Sequence, residues 1–193
     1  TAGNLAVSQA VVHVLHEEAV HADQSSLYTV ETLFDAAVLV GDALRVVHRR
    51  DALAFKEHAV EFNASFILGG QIRGKAPRLF SIYAAGNFIE ATNDTPYFQI
   101  GEAKYGKPII DRVITRSSSL AEATKCVLIS MDSTIRSNLS VGPPLDLLCL
   151  KRDALRVLLH RNITADDDYF RMIGTAWGES LRHAFHALPN PML

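Results

Sequence analysis

Apolar residues recur along this chain in two periods that alternate block by block. Val7, Val11, Val14 and Leu15 fall on one face of a helix, and Leu33, Ala37, Val40, Leu44 and Val47 form the stripe of a second, with a short continuation beyond Asp51. Such stripes predict two helices packed antiparallel and joined by the polar segment 22–26. The period then changes. Residues 64–71 and 78–83 are short apolar runs of β-compatible residues separated by Gly74 and Pro77, and 87–91 follows a Gly86-Asn87 turn signal. An antiparallel meander is predicted there.

Tyr97 to Ile100 leads into a junction at Gly101, and Pro108 suits the first turn of a helix, where its missing N–H is not needed. Ser119 followed by Glu122 is a capping-box pattern opening a longer helix through Ile135. Leu145–Leu150 and Leu155–His160 read as a hairpin around 151–154. Asp166, Asp167 and Asp168 place acid at the start of a last helix, with Phe170, Ile173, Trp177, Leu181 and Ala184 on one face. Helices in pairs and strands in hairpins predict an α+β fold, with antiparallel sheets covered by helix pairs.

Composition narrows the function. The 193 residues are 48% hydrophobic and 21% charged, enough for one sizeable core, so a single domain spanning 1–193 is expected. A net charge of −2 without a basic block gives no footprint for nucleic acid. No apolar run approaches the roughly 20 residues of a membrane helix, and no signal segment opens the chain, so a soluble cytoplasmic protein is expected. Cys126 and Cys149 lie in apolar runs without CxxC spacing and read as buried free thiols suited to a reducing compartment.

Several local patterns imitate catalytic motifs. His16-Glu17-Glu18-Ala19-Val20-His21 resembles a zinc-protease signature, but its histidines are five positions apart. On a helix the two rings diverge by about 140°, which prevents them from sharing one metal. His183 and His186 suit the C-terminal turn of the last helix, where positive charge is favoured. Ser117-Ser118-Ser119 is explained by a cap. Gly69-Gly70 lacks the lysine and spacing of a phosphate loop and reads as a turn or a close backbone approach.

The block from Phe66 to Arg112 carries the most specific signal, with Phe66-Ile67-Leu68-Gly69-Gly70-Gln71-Ile72 at its start and Gly101-Glu102-Ala103-Lys104-Tyr105-Gly106-Lys107-Pro108 near its end. Together with 131–144, which ends Ser137-Asn138-Leu139-Ser140-Val141-Gly142-Pro143-Pro144, it resembles the bacterial proteasome-like family Anbu, the ancestral beta subunit. The resemblance covers nearly the whole chain and weakens after Arg152. It implies the four-layer αββα sandwich of N-terminal-nucleophile hydrolases. It also implies peptide-bond hydrolysis without a cofactor or metal, acting on peptide or unfolded protein.

Thr1 does not fit the nucleophile of that chemistry, in which a free α-amine activates the hydroxyl of its own residue. Ala2-Gly3-Asn4-Leu5-Ala6 leads straight into a helix, and the lysine expected about thirty residues on, to depress the amine pKa, is replaced by Thr32, Leu33 and Phe34 within a helix. The resemblance therefore implies roughly fifty residues ahead of Thr1, holding the nucleophile, its aspartate and its lysine.

Four positions carry over from the resemblance. Gly3 matches the glycine whose N–H stabilises the oxyanion, with a helix-entry glycine as the alternative. Glu102 falls where proteasome subunits carry a serine in the site loop, and an ion pair with Lys104 or Lys107 is the competing reading. Ser140 matches a supporting serine. Ser137 or Asn138 occupies the place of an aspartate. The resemblance further implies homo-oligomeric self-association into a ring or open ring, with helices 30–48 and 119–135 as contact surfaces and Val38 and Val46 outside their stripes. Two alternatives stand beside the peptidase: a structural ring subunit with a decayed site, and a small-molecule amidohydrolase on the same fold.

Overall fold

Asn4 opens the first helix by accepting the main-chain N–H groups of Ala6 and Val7 on its side-chain oxygen. Helix α1 then runs Leu5–Val20 and buries Val7, Val11 and Leu15 on the expected face. The computed structural model describes residues 1–20 and 25–192. Most of the expected connection at 22–26, and His21, therefore lie outside the described residues. Helix α2, Leu33–Glu57, starts at a capping box between Thr32 and Asp35 and absorbs the expected continuation beyond Asp51 into one element. Its buried stripe is Ala37, Val40, Leu44 and Val47, and it packs on α1.

The meander is β1 (Ala2–Gly3), β2 (Ala64–Gly70), β3 (Arg78–Ile82) and β4 (Phe88–Glu90), paired antiparallel in that order. Register sets Phe66 opposite Ile82 and Leu68 opposite Phe80. Period-two alternation thus sends Ala64, Phe66, Phe80 and Ile82 into a core with the stripes of α1 and α2. These elements, from Thr1–Gly101, form one compact unit together with Leu150–Arg156. Gln71 clamps the latter segment: its amide accepts the Asp153 N–H and donates to the Asp153 carboxylate, both at 2.7 Å.

The second compact unit is Glu102–Cys149 with Val157–Leu193. Helix α3 (Lys107–Val113) carries Pro108 in its first turn, and α4 (Leu120–Ser137) opens on the expected Ser119–Glu122 box. Strands β5 (Leu145–Leu150) and β6 (Val157–Ile163) form a two-stranded sheet, and helix α5 spans Asp168–Ala187 with Asp167 as its cap. Leu128, Ile163, Phe170 and Ile173 make this unit's core.

Two expectations need correction. The second hairpin strand begins at Val157 instead of Leu155, because Asp153 and Leu155 adopt left-handed φ values of 64° and 49° and the Asp153 N–H is taken by Gln71. On α5 only Phe170 and Ile173 of the expected stripe are buried; Trp177 is half-buried, while Leu181 and Ala184 are exposed. Together the elements make an α+β fold of helices and antiparallel sheet.

Candidate active-site elements

Gly3, in the first unit, lies in β1 opposite Ala64 with φ at 100°. A Cβ at this position would overlap the Asn63 carbonyl, which accepts the Asn4 N–H at 2.6 Å. Main-chain packing alone therefore demands glycine here. In the sheet order β1 is an edge strand, so one side of its backbone is not engaged in the ladder. Thr1 stands immediately before this two-residue strand, and the chain passes from it into α1.

The other three candidates lie in the second unit. Glu102 follows Gly101, whose φ of 78° turns the chain. One carboxylate oxygen of Glu102 accepts the Lys104 main-chain N–H at 3.2 Å, and the other accepts from the Asn138 side-chain amide at 2.9 Å. The contact of Glu102 with residue 104 is through the main chain, and the Lys107 ammonium bridges Asp111 at 2.8 Å. A short turn of this kind brings the i+2 N–H to the carboxylate more directly than a flexible ammonium.

Asn138 is the hub. It ends α4, its N–H bonding to the Thr134 carbonyl, and its side-chain oxygen accepts both the N–H and the hydroxyl of Ser140 at 2.9 and 2.7 Å. A carboxylate on one side and two donors on the other fix the amide in one orientation. Glu102 and Ser140, distant in sequence, are thus linked through a single side chain. Ser137, the last residue of α4, is exposed, and so are Ser140 and Leu139. The resemblance offers Ser137 or Asn138 for this place, and the Asn-x-Ser pattern after a helix, which favours this turn, is the signal for residue 138.

The Ser140 hydroxyl proton is committed to Asn138, so its oxygen lone pairs are the groups open to a donor such as an ammonium. No protonic base or nucleophile is specified by this loop itself. Elsewhere, Ser119 serves as a cap, Gly69 and Gly70 end β2, and His183 and His186 are exposed on α5. Cys126 and Cys149 are buried and free, and burial pushes the Cys126 thiol pKa up. Among the described residues there is no cluster of three or more His, Cys, Asp or Glu that could hold a metal, and no helix long and apolar enough to cross a membrane.

Neither a family model nor a curated protein matches the chain. Solved structures do. Anbu (ancestral beta-subunit) from Yersinia bercovieri is 49% identical with a TM-score of 0.92, over 100% of this chain and 79% of that one. A Gly-1 mutant of Anbu from Hyphomicrobium sp. strain MC1 is 48% identical with a TM-score of 0.92 over the same shares. The helical assembly of the Anbu complex from Pseudomonas aeruginosa is 47% identical with a TM-score of 0.91, over 99% of this chain and 78% of that one. Identity near one half across the whole chain, on a matching backbone, leads to one conclusion: this chain belongs to the Anbu (ancestral beta-subunit) family and has its proteasome-like fold.

Proposed function

We propose that the chain forms the body of a proteasome-type peptidase subunit acting by N-terminal-nucleophile acyl transfer. The observation that carries this reading is the Glu102–Asn138–Ser140 chain of hydrogen bonds. Where the resemblance calls for an aspartate, Asn138 supplies the geometry without charge, and the negative charge stands one hydrogen bond back on Glu102. Ser140 then offers its lone pairs to a protonated α-amine, holding it beside the hydroxyl or thiol it has just deprotonated. The nucleophile attacks the peptide carbonyl, the amine protonates the departing amine, and water releases the acyl group; the resemblance gives the oxyanion role to the Gly3 N–H. No cofactor enters this sequence, and the substrates are peptides or unfolded proteins in the cytoplasm.

Self-association into a ring or open ring belongs to the same reading. It is supported by the helical assembly of the Pseudomonas relative and by exposed Val46 on α2. Monomeric behaviour in light scattering at micromolar concentration contradicts it.

A structural subunit is the second reading, favoured by one observation: both Glu102 oxygens are already occupied in holding the loop. A peptide β-lactone probe, followed by mass spectrometry of the protein from its native source, separates the two. The peptidase reading expects an acyl adduct on an N-terminal Thr, Ser or Cys outside residues 1–193. An adduct on Thr1 overturns the assignment of the nucleophile, and an intact assembly without adduct favours the structural subunit. Turnover of unfolded protein against short amides distinguishes the peptidase from an amidohydrolase.

A further inference from the structure

The first unit contains a cleft of about 500 Å³ that the peptidase reading does not use, lined by Arg45, His48 and Arg49 of α2, by Phe62, and by Ala84 and Ala85 of the β3–β4 turn. Its volume lies within the range of small-ligand sites. Residues 45, 48 and 49 are spaced i, i+3 and i+4, which puts three nitrogen-rich side chains on one helical face.

The walls are built by specific contacts. A Cβ on Gly41 would overlap the Gly86 carbonyl, and one on Gly86 would overlap the Gly41 carbonyl, so only a pair of glycines lets α2 touch the turn. A glycine inside a helix costs about 1 kcal/mol relative to alanine, and Gly86 sits at a φ of 78°. That close approach brings the Ala85 carbonyl to Arg45, which donates to it at 3.3 Å and to Asp42 at 3.0 Å. Phe62 is fixed edge-on by His48, with centroids 4.7 Å apart, and by Phe55 at 5.7 Å. The apolar wall is therefore preorganised.

Charge counting selects the ligand. Asp42 balances Arg45, and Arg50, next along the helix, is taken by Asp51. Arg49 is exposed, and among the described residues no carboxylate pairs with it. The cleft thus has one unspent guanidinium and one aromatic ring in its lining. A guanidinium matches a planar carboxylate through two parallel hydrogen bonds, and the balance of one charge suits a monoanion better than a phosphate dianion.

We propose that this cleft binds an organic monocarboxylate with an apolar or aromatic body, its acid group on Arg49 and its body against Phe62 and the Ala84–Ala85 turn. The site shares no residue with Gly3, Glu102, Asn138 or Ser140 and does not depend on peptidase chemistry, although Arg45 and His48 lie on the helix 30–48 named as a contact surface.

Isothermal titration of the whole protein with 3-phenylpropanoate tests it, using 3-phenylpropanamide and inorganic phosphate as comparison ligands. Saturable one-to-one binding of the carboxylate is expected, at least tenfold tighter than either comparison ligand. Arg49→Met should weaken it at least tenfold with an unchanged melting temperature, and Arg50→Met should leave it intact. Arg49→Lys, which keeps charge but loses the planar fork, should fall between wild type and Arg49→Met and covers the case in which the methionine variant fails to fold. No binding of the carboxylate, equal binding of the amide, phosphate binding as tightly as the carboxylate, or binding unchanged in both Arg49 variants overturns the proposal.

Discussion

At the scale of residues, Asn138 is where the account is most exposed to test. Asn138→Asp would place a second carboxylate against Glu102, which sits 2.9 Å from the amide it replaces. Like charges at that distance cannot both remain ionised without penalty, so kcat for peptide hydrolysis should drop at least tenfold. Adding Glu102→Gln supplies a neutral donor to the new carboxylate, and the double variant should recover most of the loss. That non-additivity, measured as a double-mutant cycle, reads the contact itself. Gly3→Ala should fail differently: overlap with the Asn63 carbonyl and the left-handed φ predict destabilisation of about 2 kcal/mol or more in urea melts, whatever its effect on activity. Cys126, 2% exposed and with its thiol pKa raised by burial, should be alkylated at least a hundredfold more slowly at pH 8 in the folded protein than in urea.

At the scale of elements, helix starts were the most legible feature, because a capping box needs only two residues at fixed spacing. Ser119 and Glu122 were readable and bond as expected. The Thr32–Asp35 box does the same for α2, and Thr32→Ala should lower stability by about 1 kcal/mol. The Ser119 hydroxyl and N–H hold the Glu122 carboxyl below the usual glutamate range. A depressed folded-state pKa contributes stability at neutral pH and loses it as pH falls through that value. The melting-temperature difference between wild type and Glu122→Gln should therefore be largest near pH 7 and shrink toward pH 3. Less legible was the second hairpin, since periodicity cannot show that Gln71 captures Asp153 across 82 positions of sequence. The α5 stripe misled for another reason: an apolar period records which residues share a face, and burial of Leu181 depends on what lies against it.

At the scale of the whole molecule, the α+β class followed from paired helices and a meander whose register buries Phe66 and Ile82 on one face. Chemistry did not follow from periodicity. No triad or metal cluster is written in the spacing, so the functional proposal rests on family membership and on a loop whose hydrogen bonds only the fold brings together. Glu102 illustrates the gap: sequence placed it beside two lysines, while the fold turned it onto Asn138.

The proposed function puts Ser140 and Asn138 in support of a nucleophile that cleaves peptide bonds. The most direct measurement is release of new α-amines from an unfolded protein by the assembled wild type, alongside Asn138→Ala and Ser140→Ala variants of equal assembly size. Steady turnover by wild type, with kcat reduced at least tenfold in both variants and KM little changed, is the predicted result. An intact assembly that releases no amine from unfolded protein, or turnover indifferent to both substitutions, would contradict it.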